Sequence, residues 1–191
     1  MKRHLKLIVT IFSPAIILLI AGCASTSGLD EKAMLAQARK DTYQCHASPV
    51  EGMPETGNAK DNGCYFVLHS PETGKILSNA PYFLAVSDPK ADPDADPAVL
   101  LTGVTDKMGR SVFVRTPFVI ESKNVRFIQL IGSGEYKYGF TMVTRRGEAI
   151  EGEKYSLVVC DKAVYRSNSD YHGETAIYQS DSKCSASLSM E

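Results

Sequence analysis

Tryptophan is absent from this chain, histidine occurs four times, and neither sign of charge dominates: 21 Lys and Arg stand against 22 Asp and Glu in 191 residues. Without a basic excess there is no stripe to neutralise a phosphate backbone, so no nucleic-acid partner is expected. No C-x-x-C pair occurs, which removes the usual frame of a structural zinc site. No H-E-x-x-H occurs, and His46, His69 and His172 lack helical i, i+4 spacing, so a zinc hydrolase has no motif. Ser133 sits in Gly132-Ser133-Gly134, which is not the G-x-S-x-G elbow of serine hydrolases and reads as a turn. No internal repeat is visible, no cofactor is expected, and no long apolar run follows residue 21.

The one apolar run that exists opens the chain. Lys2, Arg3, His4 and Lys6 precede Leu7–Ala21, which is broken only by Thr10, Ser13 and Pro14. That run falls short of the roughly 20 residues of a spanning helix. A charged start, a short apolar core and small residues behind it mark a signal peptide. The run closes on Ile20-Ala21-Gly22-Cys23, which resembles the lipobox of bacterial lipoproteins. The resemblance implies cleavage before Cys23, a diacylglycerol thioether on its sulfur and an acyl chain on its nitrogen. Two or more chains hold a protein on a membrane where one does not. Ala24 and Ser25 follow, without the Asp that signals inner-membrane retention in such lipoproteins. The resemblance therefore implies an outer-membrane anchor facing the periplasm. The expected organisation is a signal peptide over 1–22, a tether over 23–28 and a single domain over 29–191.

Cys45, Cys64, Cys160 and Cys184 remain after Cys23, an even number that reads as two disulfides in an oxidising compartment. Three pairings are open. Cys45–Cys64 and Cys160–Cys184 are favoured because both close short local loops. The same bonding argues against Cys45, next to His46, as a thiol nucleophile.

Ser27-Gly28-Leu29-Asp30 has the form of a helix N-cap, and Leu29, Ala33, Ala36 and Tyr43 recur at helical spacing, predicting a helix over 30–42. Beyond it the period turns to two. Strands are expected over 64–69, 80–86, 99–105, 110–116, 125–131, 136–143, 154–159 and 175–178. The stretch 110–116 is read as the hairpin partner of 99–105 across the turn Asp106-Lys107-Met108-Gly109. The polar residues 161–173 suggest a helical turn near 161–165. Many short strands separated by turns define the fold class: mainly β, an antiparallel β-sandwich of seven to eight strands after one short N-terminal helix.

Two stretches carry a second resemblance. Gly74-Lys75-Ile76-Leu77-Ser78-Asn79-Ala80-Pro81-Tyr82 and Gly103-Val104-Thr105-Asp106-Lys107-Met108-Gly109-Arg110 together resemble prealbumin-like modules, the transthyretin-like and carboxypeptidase-regulatory-like sandwiches. The likeness covers roughly residues 64–116 and implies a small β-sandwich; the acidic loop 88–97 departs from it. Asp92, Asp94 and Asp96 alternate there as calcium ligands would. Pro97 and the absence of a closing Glu argue instead for an extended surface loop, so no metal is expected. Arg145 and Arg146 read as a solvated turn, Tyr136 and Tyr138 as strand packing. The functional expectation is a lipid-anchored cell-envelope protein that is not an enzyme and that binds an envelope protein or supports envelope structure. Two alternatives stand beside it: an immunity or inhibitor lipoprotein that neutralises a toxin or hydrolase, and an enzyme acting on envelope polymers.

Overall fold

The computed structural model describes residues 27–46, 48–57, 63–92 and 95–190. The signal-peptide stretch, the lipobox with Cys23, and residues 23–26 of the expected tether lie outside them. Helix α1 runs Ser27–Asp41, taking in the end of that tether. Ala, Leu, Met, Lys, Glu and Gln fill most of it, all good helix formers. Its last turn closes on Ala38, whose carbonyl accepts from the Thr42 amide at 2.8 Å and the Thr42 hydroxyl at 2.7 Å.

The rest is β, as expected. The strands are β1 Tyr43–His46, β2 Glu55–Thr56, β3 Gly63–Phe66, β4 Pro81–Val86, β5 Val99–Val104, β6 Phe113–Arg115, β7 Val125–Gly132, β8 Tyr136–Tyr138, β9 Lys154–Val159, β10 Lys162–Asn168, β11 Ile177–Ser180 and β12 Ala186–Met190. They form sheets of order β1-β3-β6-β2, β5-β4-β7-β11-β8 and β10-β9-β12. The count exceeds the seven to eight expected because several strands are too short to leave a period in the sequence. Most pairings are antiparallel, but β2–β6 and β11–β7 are parallel.

Three expectations are corrected. β6 is not the hairpin partner of β5: β5 pairs with β4, and β6 pairs with β3 and β2 in the facing sheet. The turn at Asp106–Gly109 is real, yet it carries the chain between layers. Residues 161–165 form no helical turn; Lys162 begins β10, which pairs with β9 across Cys160 and Asp161. Both of those turn residues have positive φ, 52° and 61°, the requirement of a tight two-residue hairpin.

The third correction concerns repetition: the second half of the fold repeats the first. In both halves a Tyr begins an inward-facing Tyr-x-Leu-x-Val strand: Tyr82, Leu84 and Val86 on β4, Tyr155, Leu157 and Val159 on β9. Alternation sends these six side chains into two separate cores. The Tyr82 hydroxyl accepts from the Val112 amide at 3.2 Å, and the Tyr155 hydroxyl from the Ala176 amide at 2.9 Å. Thr105 Oγ1 bridges Ala80 N and Leu77 O; Ser169 Oγ bridges Glu153 N and Ile150 O. Ser111 pairs with Phe66 as Thr175 pairs with Phe140, through both backbone and hydroxyl. The parallel pairs correspond as well, β2 on β6 and β7 on β11.

Strand β7 belongs to both halves. Its first part pairs with β4 and closes the first module; its last part pairs with β11 and opens the second. The five-stranded sheet is thus one layer from each module, fused along a single strand. Because the two tyrosine bonds are equivalent, Tyr82→Phe and Tyr155→Phe should cost similar amounts. Each would leave a half-buried amide without its acceptor at about 1 kcal/mol, readable from urea midpoints of the two variants.

Candidate functional site

The two modules meet along a seam, and the seam holds the chain's apolar cleft. The connection after β3 supplies Val67, Leu68, His69, Ser70 and Pro71, β7 supplies Phe127, and the end of β10 and the following turn supply residues 168–171. Helix α1 lies across one side through Leu35 and Ala38. The helix comes close to the loop below it: a Cβ on Gly74 would stand 2.9 Å from the Met34 carbonyl group. The cleft measures about 200 Å³. Behind it, sharing Leu68, His69, Pro71, Phe127 and Asp170, lies an inner chamber of about 40 Å³ that reaches Gln129, Tyr155, Tyr165 and Glu174.

The polar side of this chamber comes from one turn. Asp170 Oδ1 accepts from the His172 amide at 2.9 Å and the Glu174 amide at 2.8 Å. Gly173, at φ 73°, closes the turn back onto the Asp170 carbonyl at 3.0 Å. The first module builds the same turn from Asp106, whose Oδ1 accepts from the Met108 and Arg110 amides, with Gly109 at φ 72°. A residue with a Cβ is strained at that φ, so both turns use glycine.

The turns differ at their last residue, and the chemistry inverts. In the first module it is Arg110, whose Nε donates to Asp106 Oδ2 at 2.7 Å. Burial alone would raise the Asp106 pKa. Hydrogen bonds from the Arg110 and Met108 amides and from the guanidinium overcome this and hold the carboxyl below its ordinary range. In the second module the residue is Glu174, only 7 % exposed. A second carboxylate replaces the counter-ion. Burial pushes Asp170 up despite its two amide donors and the nearby His172 and Arg126. Burial likewise pushes Glu174 up, helped by the charge of Asp170 and opposed by Arg126.

Arg126, from β7, donates to Glu174 Oε1 at 2.5 Å. Glu174 Oε2 is buried without a hydrogen-bond partner. His69 flanks the same space and is held below the ordinary histidine value, chiefly by burial. Its Nδ1 lies 3.3 Å from Thr42 Oγ1, whose own proton goes to Ala38. The Tyr165 hydroxyl donates to Gln129 Oε1 at 3.2 Å.

Of the residues singled out by sequence, only His69 lines this seam; His172 sits in the Asp170 turn with its Nε2 buried and unpartnered. Cys45–Cys64 and Cys160–Cys184 are bonded in the favoured pairing. Asp92 and Asp96 lie on the acidic loop, with Asp94 outside the described residues, as is the side chain of His46. Among the described residues no three potential metal ligands converge. Relative to the second module that loop is an insertion: residues 87–98 join β4 to β5 where Cys160 and Asp161 alone join β9 to β10. Ser133 follows β7, Arg145 and Arg146 are exposed, and Tyr138 packs on the second core with its hydroxyl accepting from the Cys184 amide at 3.0 Å. Asp170, Glu174 and Arg126 were not foreseen. The recurrence of Asp-x-x-Gly at 106–109 and 170–173 was the signal that could have found the first two. No helix among the described residues is long and apolar enough to cross a membrane. No family model, curated protein or solved structure matches this chain.

Proposed function

We propose that this chain is a lipid-anchored binding module of the bacterial envelope, which engages its ligand at the seam between its two β modules. The carrying observation is Glu174: a carboxylate 7 % exposed, lining the inner chamber, with one oxygen unpartnered. A buried acid with one oxygen unpartnered costs the fold stability and calls for a partner, and the first module forms the same turn with a neutralising arginine. Both disulfides support an oxidising compartment, and the lipobox-like Ile20-Ala21-Gly22-Cys23 supports the anchor. Expressed in a bacterial host, the chain should incorporate labelled palmitate and fractionate with membranes. Cys23→Ser should abolish the label and release the protein from the membrane fraction. Retention of both by the variant would remove the anchor from the proposal.

A second reading, hydrolysis of an envelope polymer, draws on the two buried carboxyls in one chamber, since acid–base pairs are built from such groups. The inner chamber is too small to take a polymer unit beside them, and binding is preferred for that reason. Turnover of peptidoglycan by the wild type and its loss in Glu174→Gln would reverse the preference.

A further inference from the structure

We propose that the inner chamber receives the ammonium group of a ligand whose short apolar body lies in the outer cleft. This deepens the binding role given above and rests on the seam being the binding face.

Four observations converge on it. The comparison within the molecule comes first. Two copies of one turn place a cation at the last position in the first module and an anion in the second, so the fold itself does not require the acid. What the first copy satisfies internally, the second leaves open. Next are the donors around the opening: Arg126 reaches only Glu174 Oε1, and His172, on the same turn, leaves its own Nε2 buried and unpartnered. His69, Tyr155 and Tyr165 also line the space, and burial disfavours the charged form of all three. Among the described residues no side chain donates to Glu174 Oε2, and that oxygen is the acceptor an incoming ammonium would meet.

Size sets the third limit. About 40 Å³ holds one group of roughly the volume of a water molecule, which an ammonium fits and a larger planar cation does not. The fourth is the wall leading in. Leu35, Val67, Leu68 and Phe127 line the 200 Å³ cleft outside, which suits an alkyl chain, and Glu151 stands on the same wall. A primary amine on a short alkyl stem occurs in free diamines and in the lysine side chain of a protein partner. The chemistry at the acid is the same for both.

The full chain, extracted in detergent and labelled with ¹⁵N, is titrated with cadaverine, n-pentylamine and Nα-acetyl-lysine methylamide. Pentan-1-ol and pentanoate serve as neutral and anionic matches. The amides of Asp170 to Glu174 should shift and saturate with the amines alone. Glu174→Gln should weaken that binding at least tenfold while resonances elsewhere stay in place. Asp170→Asn keeps an acceptor for the two turn amides and should weaken it too, which covers the case of a misfolded Gln variant. Tighter binding of the lysine derivative than of the free amines points to a protein partner, and the reverse order to a small amine; either supports the site. If pentanol or pentanoate moves the same amides as strongly as the amines, the seam is a binding face and the cation assignment is wrong. Undiminished amine binding in both variants overturns the assignment as well. Should no probe perturb the seam, the binding reading falls with it.

Discussion

Glu174→Gln should make the protein more stable at neutral pH, by a Tm increase of about 2–4 °C, which is what roughly 1 kcal/mol yields at this chain length. The expectation runs against the usual outcome of removing an ion pair. Arg126 does bond Glu174, but it is 55 % exposed and keeps water when the carboxylate is lost. On the other side stand burial and the repulsion of Asp170, and together they outweigh the arginine, since the Glu174 pKa is raised and not lowered. A group whose folded pKa lies above its unfolded value binds protons more tightly when folded. Its charged form therefore costs stability, and the cost is present at high pH and relieved as pH falls through the folded pKa toward 4.5 for Glu174 and 3.8 for Asp170. The gap between variant and wild type should be widest at neutral pH and close on acidification through that window. His69 acts oppositely: held below 6.5, it destabilises the fold as pH falls below that value. It does so equally in both proteins, so the difference curve and not either curve alone is the measurement. Thermal melts of the pair across pH give it; a variant less stable at pH 7, or a gap that widens in acid, would refute the account. Natural chains keep such a costly group where function uses it.

In the first module the corresponding titration has the other sign. Asp106 is held low, so its contribution is present above its ordinary 3.8 and disappears only as pH drops through the depressed folded value. Two copies of one turn thus respond to acid in opposite directions. Burial sets the direction at Asp170, while at Asp106 the amide donors of the turn and the Arg110 guanidinium overcome it.

Much of the fold was legible because it lies in local chemistry. Alternation in Tyr155-Ser156-Leu157-Val158-Val159 placed β9, and Asp106 with Gly109 placed a turn. The cysteine pairing followed from loop length. Partner choice was not legible. A tight turn normally returns a strand to its neighbour, and nothing in Arg110–Thr116 announces that it crosses to the facing sheet. β10 was missed because its residues are mostly half-buried or exposed, so Lys162, Arg166 and Asn168 blur the period. The duplication was hidden by loop lengths. Residues 87–98 in one copy and Cys160-Asp161 in the other shift the spacing between Tyr82 and Asp106 relative to Tyr155 and Asp170. Hydrogen bonds, which ignore what lies in the loop, recover the equivalence at once. The site inherits that difficulty, since Glu174 looks ordinary until it stands beside Arg110.

Removal of the Cys160–Cys184 bridge should lower the Tm by about 6–12 °C in one cooperative transition. The magnitude follows from the span: a loop of 24 residues loses about 3 kcal/mol of denatured-state entropy when closed, and each kcal/mol moves the midpoint by about 2–4 °C. The bond ties the β9–β10 turn to the residues leading into β12, so it guards only the second core. Cys45–Cys64 spans 19 residues and ties β1 to β3 at the first core. Two modules with separate cores and separate bridges would ordinarily melt apart. Here they share β7: Val125 belongs to the first core, and three to seven residues further on Ile128 to Gly132 lie against β4 or β11. Unravelling the second module strips β11 from the last part of β7 and opens the seam beneath Phe127, whose ring packs on Phe66 and Tyr82 in the first core at 5.7 and 5.1 Å. Loss of one module therefore costs the other its closing strand. Calorimetry of Cys160→Ser/Cys184→Ser should show a single displaced peak with calorimetric and van't Hoff enthalpies in agreement. A split peak, with the first module melting where the wild type does, would show that the shared strand does not couple them.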